Sequence, residues 1–130
     1  MKKLLIVCLM MGALVAATQK PSIEGKWEGE RNGLKAVTVT VHESKGQMEG
    51  SVIFYVTRDD GQGMQVVGQD ERKMLETQWD GKTLRFAVGA PDFDPDTPGV
   101  RFTMMITGDK KAELKRLGKD ELTLTLARAE

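Results

Sequence analysis

Apolar and polar side chains alternate at every second position through most of this chain, and this period constrains the fold more than any other feature. Between residues 37 and 41, for example, three valines alternate with two threonines. Successive side chains of a β-strand point to opposite faces of a sheet, so this period predicts strands with one buried face. Five segments share it clearly: residues 37–41, 48–56, 84–88, 100–106 and 122–126.

Weaker alternation and well-placed turn residues extend the pattern to eight or nine strands. The weaker segments are residues 24–30, 64–69, 74–79 and 112–116. Glycine, Asn and Asp, which tolerate the positive φ of tight turns, fall between the runs. Residues 110–117 could form a helix, because Leu114 and Leu117 fit one helical turn. The short length of the segment favours a strand. We therefore predict an all-β fold, a single antiparallel meander barrel of about eight or nine strands.

The turn at Asp80-Gly81 allows one register to be predicted. If the turn contains only these two residues, Trp79 pairs with Lys82. The same register sets Glu76 opposite Arg85, and such an ion pair contributes about 0.2–1 kcal/mol across two strands.

The turn at Asn32-Gly33 predicts a less regular hairpin. A two-residue turn would place Trp27 on the wrong face of the sheet, because a slip of one residue reverses every side chain. A three-residue loop that includes Leu34 pairs Trp27 with Val39 and restores one apolar face. We therefore predict a bulge in this hairpin.

The first 17 residues are predicted to be a cleaved signal peptide. Lys2 and Lys3 precede an uncharged apolar run, and residues 15–17 supply the small side chains that signal peptidase requires. The run is shorter than the ~20 residues of a membrane span. Cys8, the alternative site of lipidation, lies in the middle of the run. Residues 18–130 are then the mature domain, exported to the periplasm or the exterior, with no membrane span after cleavage.

Composition argues against several classes of function. The only cysteine is Cys8, so the mature domain has no thiol chemistry and no disulfide. Without Lys2 and Lys3 the 19 basic residues fall to 17, against 19 acidic residues. No basic stripe with interleaved aromatic residues is present, so nucleic acid is not an expected partner.

The polar residues give little material for a metal or catalytic site. His42 is the only histidine, and it is predicted to lie on the outer face. The acidic segment at residues 92–96 does not fit a calcium loop, because Thr97 and Thr103 stand where glycine and glutamate would be needed. A proline-stiffened surface loop is the simpler interpretation. We expect no enzyme, no cofactor and no metal.

Gly25, Trp27 and Arg128 are the residues that carry most information about the barrel. Trp27 lies on the first predicted strand, and Arg128 is in phase with the inward-facing leucines of the last one. An arginine at the floor of a barrel needs a partner, and the face of a tryptophan within about 6 Å supplies one. These three residues are therefore predicted to form the floor.

This pattern resembles the calycin superfamily, which includes lipocalins, fatty-acid-binding proteins and avidins, and the small lipocalin-like domains of exported bacterial proteins. The resemblance covers the mature length and depends on Gly25-Lys26-Trp27 and Arg128. It implies a barrel that holds a small apolar ligand. Gly29 and Val52 stand where avidins place an asparagine and a tyrosine that bind biotin, so biotin is not the expected ligand.

The leading functional hypothesis is a module that binds a small apolar or amphipathic molecule inside the barrel. The alternative is a non-catalytic interaction or structural domain with a filled core. In that case Ile53 and Tyr55, outward beside Val67, would contribute a docking surface for another subunit, and a homo-oligomer through the outer barrel face is one possibility. The residues predicted to line a ligand cavity are Phe54, Val66, Trp79, Phe86, Phe102 and Met104.

Overall fold

The computed structural model describes residues 22–89, 94–118 and 121–129. The predicted signal peptide lies outside these residues, as do Asp92 and Phe93 of the acidic segment. Every regular element in the described part is a strand, so the all-β prediction is confirmed. The strands are β1 (Gly25–Arg31), β2 (Leu34–Ser44), β3 (Gln47–Asp59), β4 (Met64–Lys73), β5 (Leu75–Trp79), β6 (Thr83–Gly89), β7 (Pro98–Gly108), β8 (Lys111–Arg116) and β9 (Leu122–Arg128).

The nine strands form one antiparallel sheet in the order β4-β3-β2-β1-β9-β8-β7-β6-β5. This is a meander in which the first and last strands pair, and it leaves β4 and β5 at the two edges. Only Met74 separates these edge strands along the chain, so the sheet curls into a half-barrel. Two hydrogen bonds connect β5 and the residue before it to β3: Met74 N donates to Gly50 O (2.8 Å), and Thr77 Oγ1 donates to Met48 O (2.5 Å).

The concave face of the sheet carries the core. Because alternate residues point inward, every strand from β1 to β3 and from β6 to β9 supplies buried apolar side chains. Each of them contributes about 1.5–3 kcal/mol through removal of apolar surface from water. The largest fully buried apolar residues are Ile23, Trp27, Val37, Val39, Val41, Val52, Leu84, Met104 and Leu126.

The register predicted for the first hairpin is confirmed, since Trp27 pairs with Val39. The turn itself contains Asn32 and Gly33, whose φ values of 57° and 82° are those of a tight hairpin turn. The register shifts beside Gly29, where Ala36 is the extra residue of β2. The predicted three-residue loop is therefore wrong, because Leu34 already pairs with Arg31. A bulge does exist, but it lies within β2 at Ala36.

The register predicted for the Asp80-Gly81 hairpin is wrong. Trp79 pairs with Leu84 and not with Lys82, because the carboxylate of Asp80 stabilises a longer loop. Asp80 Oδ1 accepts hydrogen bonds from the amides of Thr83 (2.8 Å) and Lys82 (2.9 Å). The bond from Thr83, followed by the bond from Lys82, holds the pKa of Asp80 below its usual value.

The predicted contact between Glu76 and Arg85 is also wrong. Glu76 has a φ of 51° and lies at an irregularity of β5. Its carboxylate accepts a hydrogen bond from Arg101 at 3.0 Å, while the closest carboxylate to Arg85 is that of Asp80, at 3.8 Å. The bulge turns Glu76 out of the register that regular alternation predicts.

Candidate ligand-binding site

The floor of the half-barrel is the end at which Trp27 and Arg128 meet. These residues are directly paired partners on β1 and β9, and the guanidinium carbon of Arg128 lies 4.2 Å from the centre of the Trp27 ring. Gly25 passes so close that a Cβ there would lie 2.7 Å from Arg128 Nη1, and its φ is +129°. Only glycine accepts both the contact and the backbone conformation.

Residues 22–24 cross this floor before β1 begins. Arg128 donates from Nη1 to Glu24 O and from Nη2 to Ser22 O, each at 2.5 Å. Trp27 Nε1 donates to Ile23 O at 2.9 Å, and the side chain of Ile23 is fully buried. The floor is therefore sealed by a short segment whose carbonyl groups are all bonded to the two residues beneath it. Sequence analysis missed Ile23, since a single apolar residue before a strand gives no periodic signal.

The opposite end, which we call the mouth, is where β1 ends at Arg31 and β9 begins at Leu122. It contains a cavity of about 360 Å³. The wall combines residues from seven strands and Asn32 of the turn between β1 and β2. The lining residues are Arg31, Asn32, Leu34, Lys35, Ala36, Val37, Phe54, Tyr55, Thr57, Met64, Phe102, Leu114, Arg116, Leu122 and Leu124.

Three aromatic rings cross the interior beneath this cavity. Phe54 of β3 and Phe102 of β7 have ring centres 5.9 Å apart, and Phe102 stacks on Phe86 of β6 with ring centres at 5.4 Å. Such aromatic pairs contribute about 0.5–1.5 kcal/mol beyond the area they bury. The rings give the cavity a fixed apolar base, and Phe54, which is only half-buried, leaves part of its surface to the cavity.

The structure brings some of the predicted lining residues to the cavity and leaves others elsewhere. Phe54 and Phe102 line it directly. Phe86 and Met104 are buried in the core behind them, and Trp79 packs half-buried against that core. These three do not contact the cavity.

Val66 also lies away from the cavity, with 41% of its side chain exposed. The pairing of β3 with β4 shifts between Val56 and Thr57, so that Val66 lies opposite Thr57 and Val67 is the extra residue. The bulge interrupts the alternation that predicted an inward position for Val66.

Aliphatic residues of β2, β8 and β9 supply the rest of the apolar wall. Leu34, Leu122 and Leu124 are half-buried, and Leu114 is buried. Sequence analysis placed the leucines of β9 on the inward face but did not assign them to a site. Their distance from Arg128 along β9 was the available signal, because it puts them at the end opposite the floor.

Lys35, Tyr55 and Glu28 form a small polar group at the edge of the cavity. Lys35 Nζ lies 3.1 Å from Glu28 Oε2 and 5.7 Å from the ring centre of Tyr55. The hydrogen bond to Glu28, and then the charge of that carboxylate, raise the pKa of Lys35 above its ordinary value. The hydroxyl of Tyr55 is 2.9 Å from Oγ1 of Thr38, which is buried on the outer face. Tyr55 is thus bonded within the sheet.

The other polar residues singled out in the sequence occupy exposed positions. His42 Nε2 lies 3.6 Å from Glu49 Oε2 on the surface. In the described part of the acidic segment, Asp94 Oδ1 accepts a hydrogen bond from the amide of Asp96 at 2.9 Å. The carboxylate of Asp96 forms an ion pair with Lys73. These contacts shape turns and bring no set of side chains into the cavity.

Within residues 22–89, 94–118 and 121–129 no helix has the length and hydropathy needed to cross a membrane. Comparison of the chain with protein-family models, with curated proteins and with solved structures gave no match.

Proposed function

We propose that this domain is an exported lipocalin-like module that binds a small apolar or amphipathic molecule in the mouth cavity. The observation that carries the proposal is the cavity itself. Its volume of about 360 Å³ lies in the range of small-molecule sites, and aromatic and aliphatic side chains form most of its wall.

Binding would be driven by removal of apolar surface from water. A ligand chain that enters between Phe54, Phe102 and Leu124 exchanges water for contacts with side chains already packed against the core. Each buried CH₂ group contributes about 0.8 kcal/mol. Because the stacked rings hold the base of the cavity in place, the site is largely formed before the ligand arrives, which lowers the entropic cost of binding.

Membership of the calycin superfamily is part of this proposal. It is supported by the meander order with paired first and last strands and by the stacking of Arg128 on Trp27 behind Gly25. The resemblance implies a barrel that holds a small apolar ligand, and the cavity at the end opposite the floor agrees with that expectation.

A fluorescent probe tests the proposal directly. N-phenyl-1-naphthylamine is apolar and uncharged, and it emits strongly when it leaves water. Leu122→Asn, which makes the cavity wall polar without a change of charge, is expected to weaken probe binding about tenfold, a difference of about 1.4 kcal/mol. Leu117→Asn is the matched control, since Leu117 is 43% exposed and is not a lining residue of this cavity. Equal binding by both variants, or no binding by the unmodified domain, would contradict the proposal.

A second candidate function, a protein-interaction domain, is favoured by one surface. Four of the five exposed large hydrophobic residues of the described chain lie on the hairpin of β3 and β4: Val56, Met64, Val66 and Val67. Light scattering after size exclusion would compare the unmodified domain with Val67→Lys. Loss of an oligomer in the variant supports interaction through this hairpin, and a monomer in both cases excludes self-association there. Tyr55 is unsuited to this test, because its replacement would also remove the hydrogen bond to Thr38 and would lower the stability of the domain.

A further inference from the structure

Met64 is the most exposed methionine of the described chain, with 50% of its surface open to solvent. The other described methionines are Met48 (8% exposed), Met74 (9%), Met104 (0%) and the partly buried Met105. The only cysteine, Cys8, lies in the predicted signal peptide, so methionines supply the oxidisable sulfur of the predicted mature domain. Because oxidation of sulfur follows its exposure, an oxidant in solution is expected to reach Met64 first.

The turn that precedes Met64 leaves this residue open to small molecules. A Cβ added at Gly61 or Gly63 would meet no atom within 4 Å. The turn is nevertheless well defined, since Asp59 Oδ1 accepts a hydrogen bond from the amide of Gly61 at 2.9 Å, and Asp60 N donates to Gly63 O at 3.3 Å. Met64 is therefore held at a fixed place with free space beside it.

Met64 is also a lining residue of the mouth cavity. It begins β4, and Tyr55 and Thr57 of the neighbouring strand β3 line the same cavity. The other described methionines do not line it. A change in the polarity of Met64 therefore acts on the wall of the site proposed to bind an apolar ligand.

Hydrogen peroxide converts a methionine thioether into a sulfoxide. The sulfur attacks one oxygen of the peroxide, so that an S–O bond forms and the O–O bond breaks. The hydroxide that leaves takes up the proton of the transferred oxygen, and one molecule of water is released. Sulfur loses two electrons and the peroxide gains them. The product is polar, whereas the original side chain is apolar.

From these observations we propose that Met64 is a site of oxidation by peroxide, and that its sulfoxide weakens the binding of an apolar ligand in the mouth cavity. The second part rests on the proposed ligand-binding function and adds a chemical signal that regulates it. A sulfoxide oxygen loses hydrogen bonds to water when an apolar ligand covers it, and this loss lowers the affinity.

Peptide mapping by mass spectrometry tests the first part. In the folded domain treated with hydrogen peroxide, Met64 should gain one oxygen at least about tenfold faster than Met48, Met74 and Met104, since susceptibility follows exposure. In concentrated urea the methionines should react at similar rates, which shows that the fold causes the difference. Oxidation of any other methionine of the folded domain as fast as Met64 would overturn the proposal.

Binding of N-phenyl-1-naphthylamine before and after oxidation tests the second part. Treatment with peroxide, followed by its removal, should weaken probe binding at least about fivefold, because a polar group at an apolar wall is costly to desolvate. Met64→Leu has no sulfur at this position and should show no loss on treatment, whatever its starting affinity. Met105→Leu is the matched control, because Met105 is partly buried and is not a lining residue of the cavity. It should lose affinity as the unmodified domain does.

The outcomes separate this inference from the proposed function. If Met64 is oxidised and the probe binds as before, the inference is overturned and the proposed function stands. The same holds if Met64→Leu loses as much affinity on treatment as the unmodified domain. If the untreated domain does not bind the probe, the proposed function fails, and the effect of the sulfoxide on binding fails with it.

Discussion

The floor and the mouth are built from the two ends of the same strands, yet they are organised in opposite ways. At the floor, Trp27 is fully buried, Arg128 covers its ring, and residues 22–24 close the remaining opening. At the mouth, Phe54 and Leu122 are only half-buried, and no segment like residues 22–24 covers the described cavity residues.

This difference shows how a small sheet can combine stability with a binding site. The contacts at the floor join the beginning of the described chain to its end, since Arg128 bonds to Ser22 and Glu24. They fix the pairing of β1 with β9, on which the curl of the whole sheet depends. The side chains at the mouth do not fix the pairing of β1 with β9, so they can remain partly exposed and contact a ligand.

The largest effect expected from the comparison is the loss of the floor tryptophan. Trp27→Ala should lower the free energy of unfolding by about 3–5 kcal/mol, because it removes the largest buried side chain and its hydrogen bond to Ile23. Phe54→Ala at the mouth should lower it by roughly 1–2 kcal/mol, since Phe54 is half-buried. Urea unfolding measures both. Equal losses would show that the two ends do not differ in their contribution to stability.

The next effect concerns two glycines on the hairpin of β3 and β4. A Cβ on Gly50 would lie 1.9 Å from the carbonyl oxygen of Thr40, whereas a Cβ on Gly68 would meet no atom within 4 Å. Gly50→Ala should therefore lower the free energy of unfolding by about 1–3 kcal/mol, as overpacking does, and Gly68→Ala should have little effect. Thermal unfolding of the two variants measures the difference, and a stable Gly50→Ala variant would contradict the close packing at this position.

A smaller effect on stability is expected when an arginine is replaced by glutamine, once at the floor and once at the mouth. Arg128→Gln removes the stacking on Trp27 and two hydrogen bonds to carbonyl groups, and it should lower the free energy of unfolding by about 2 kcal/mol. Arg116→Gln at the mouth should change it by less than about 1 kcal/mol, as is usual for a partly exposed charge. Urea unfolding measures both variants. A larger loss of unfolding free energy in Arg116→Gln than in Arg128→Gln would contradict the greater contribution of the floor to stability.

The sequence predicts the floor because its signals are periodic. Arg128 shares the phase of the inward leucines of β9, and Trp27 shares the phase of the valines of β2 through their pairing. Alternation of this kind survives in the folded sheet wherever the pairing is regular. The same reasoning predicts the number of strands and the strand at Lys111–Arg116.

The sequence fails to predict the features that depend on a single side chain or a single extra residue. The length of the loop at Asp80 follows from two hydrogen bonds to its carboxylate. The exposure of Val66 follows from a bulge at Val67. Most of the cavity wall was missed for a third reason. Alternation tells which side chains point inward, but it does not tell at which height along the strands the interior is left unfilled.

The most direct test of the account is an amide and indole chemical-shift titration of the isotope-labelled domain with N-phenyl-1-naphthylamine. The account predicts that signals of Leu34, Leu122 and Leu124 shift as the probe is added. The indole N–H of Trp27, bonded to Ile23 at the floor, should stay in place. Shifts centred on Trp27 with an unaffected mouth would contradict the division of the sheet into a sealed floor and an open, ligand-binding mouth.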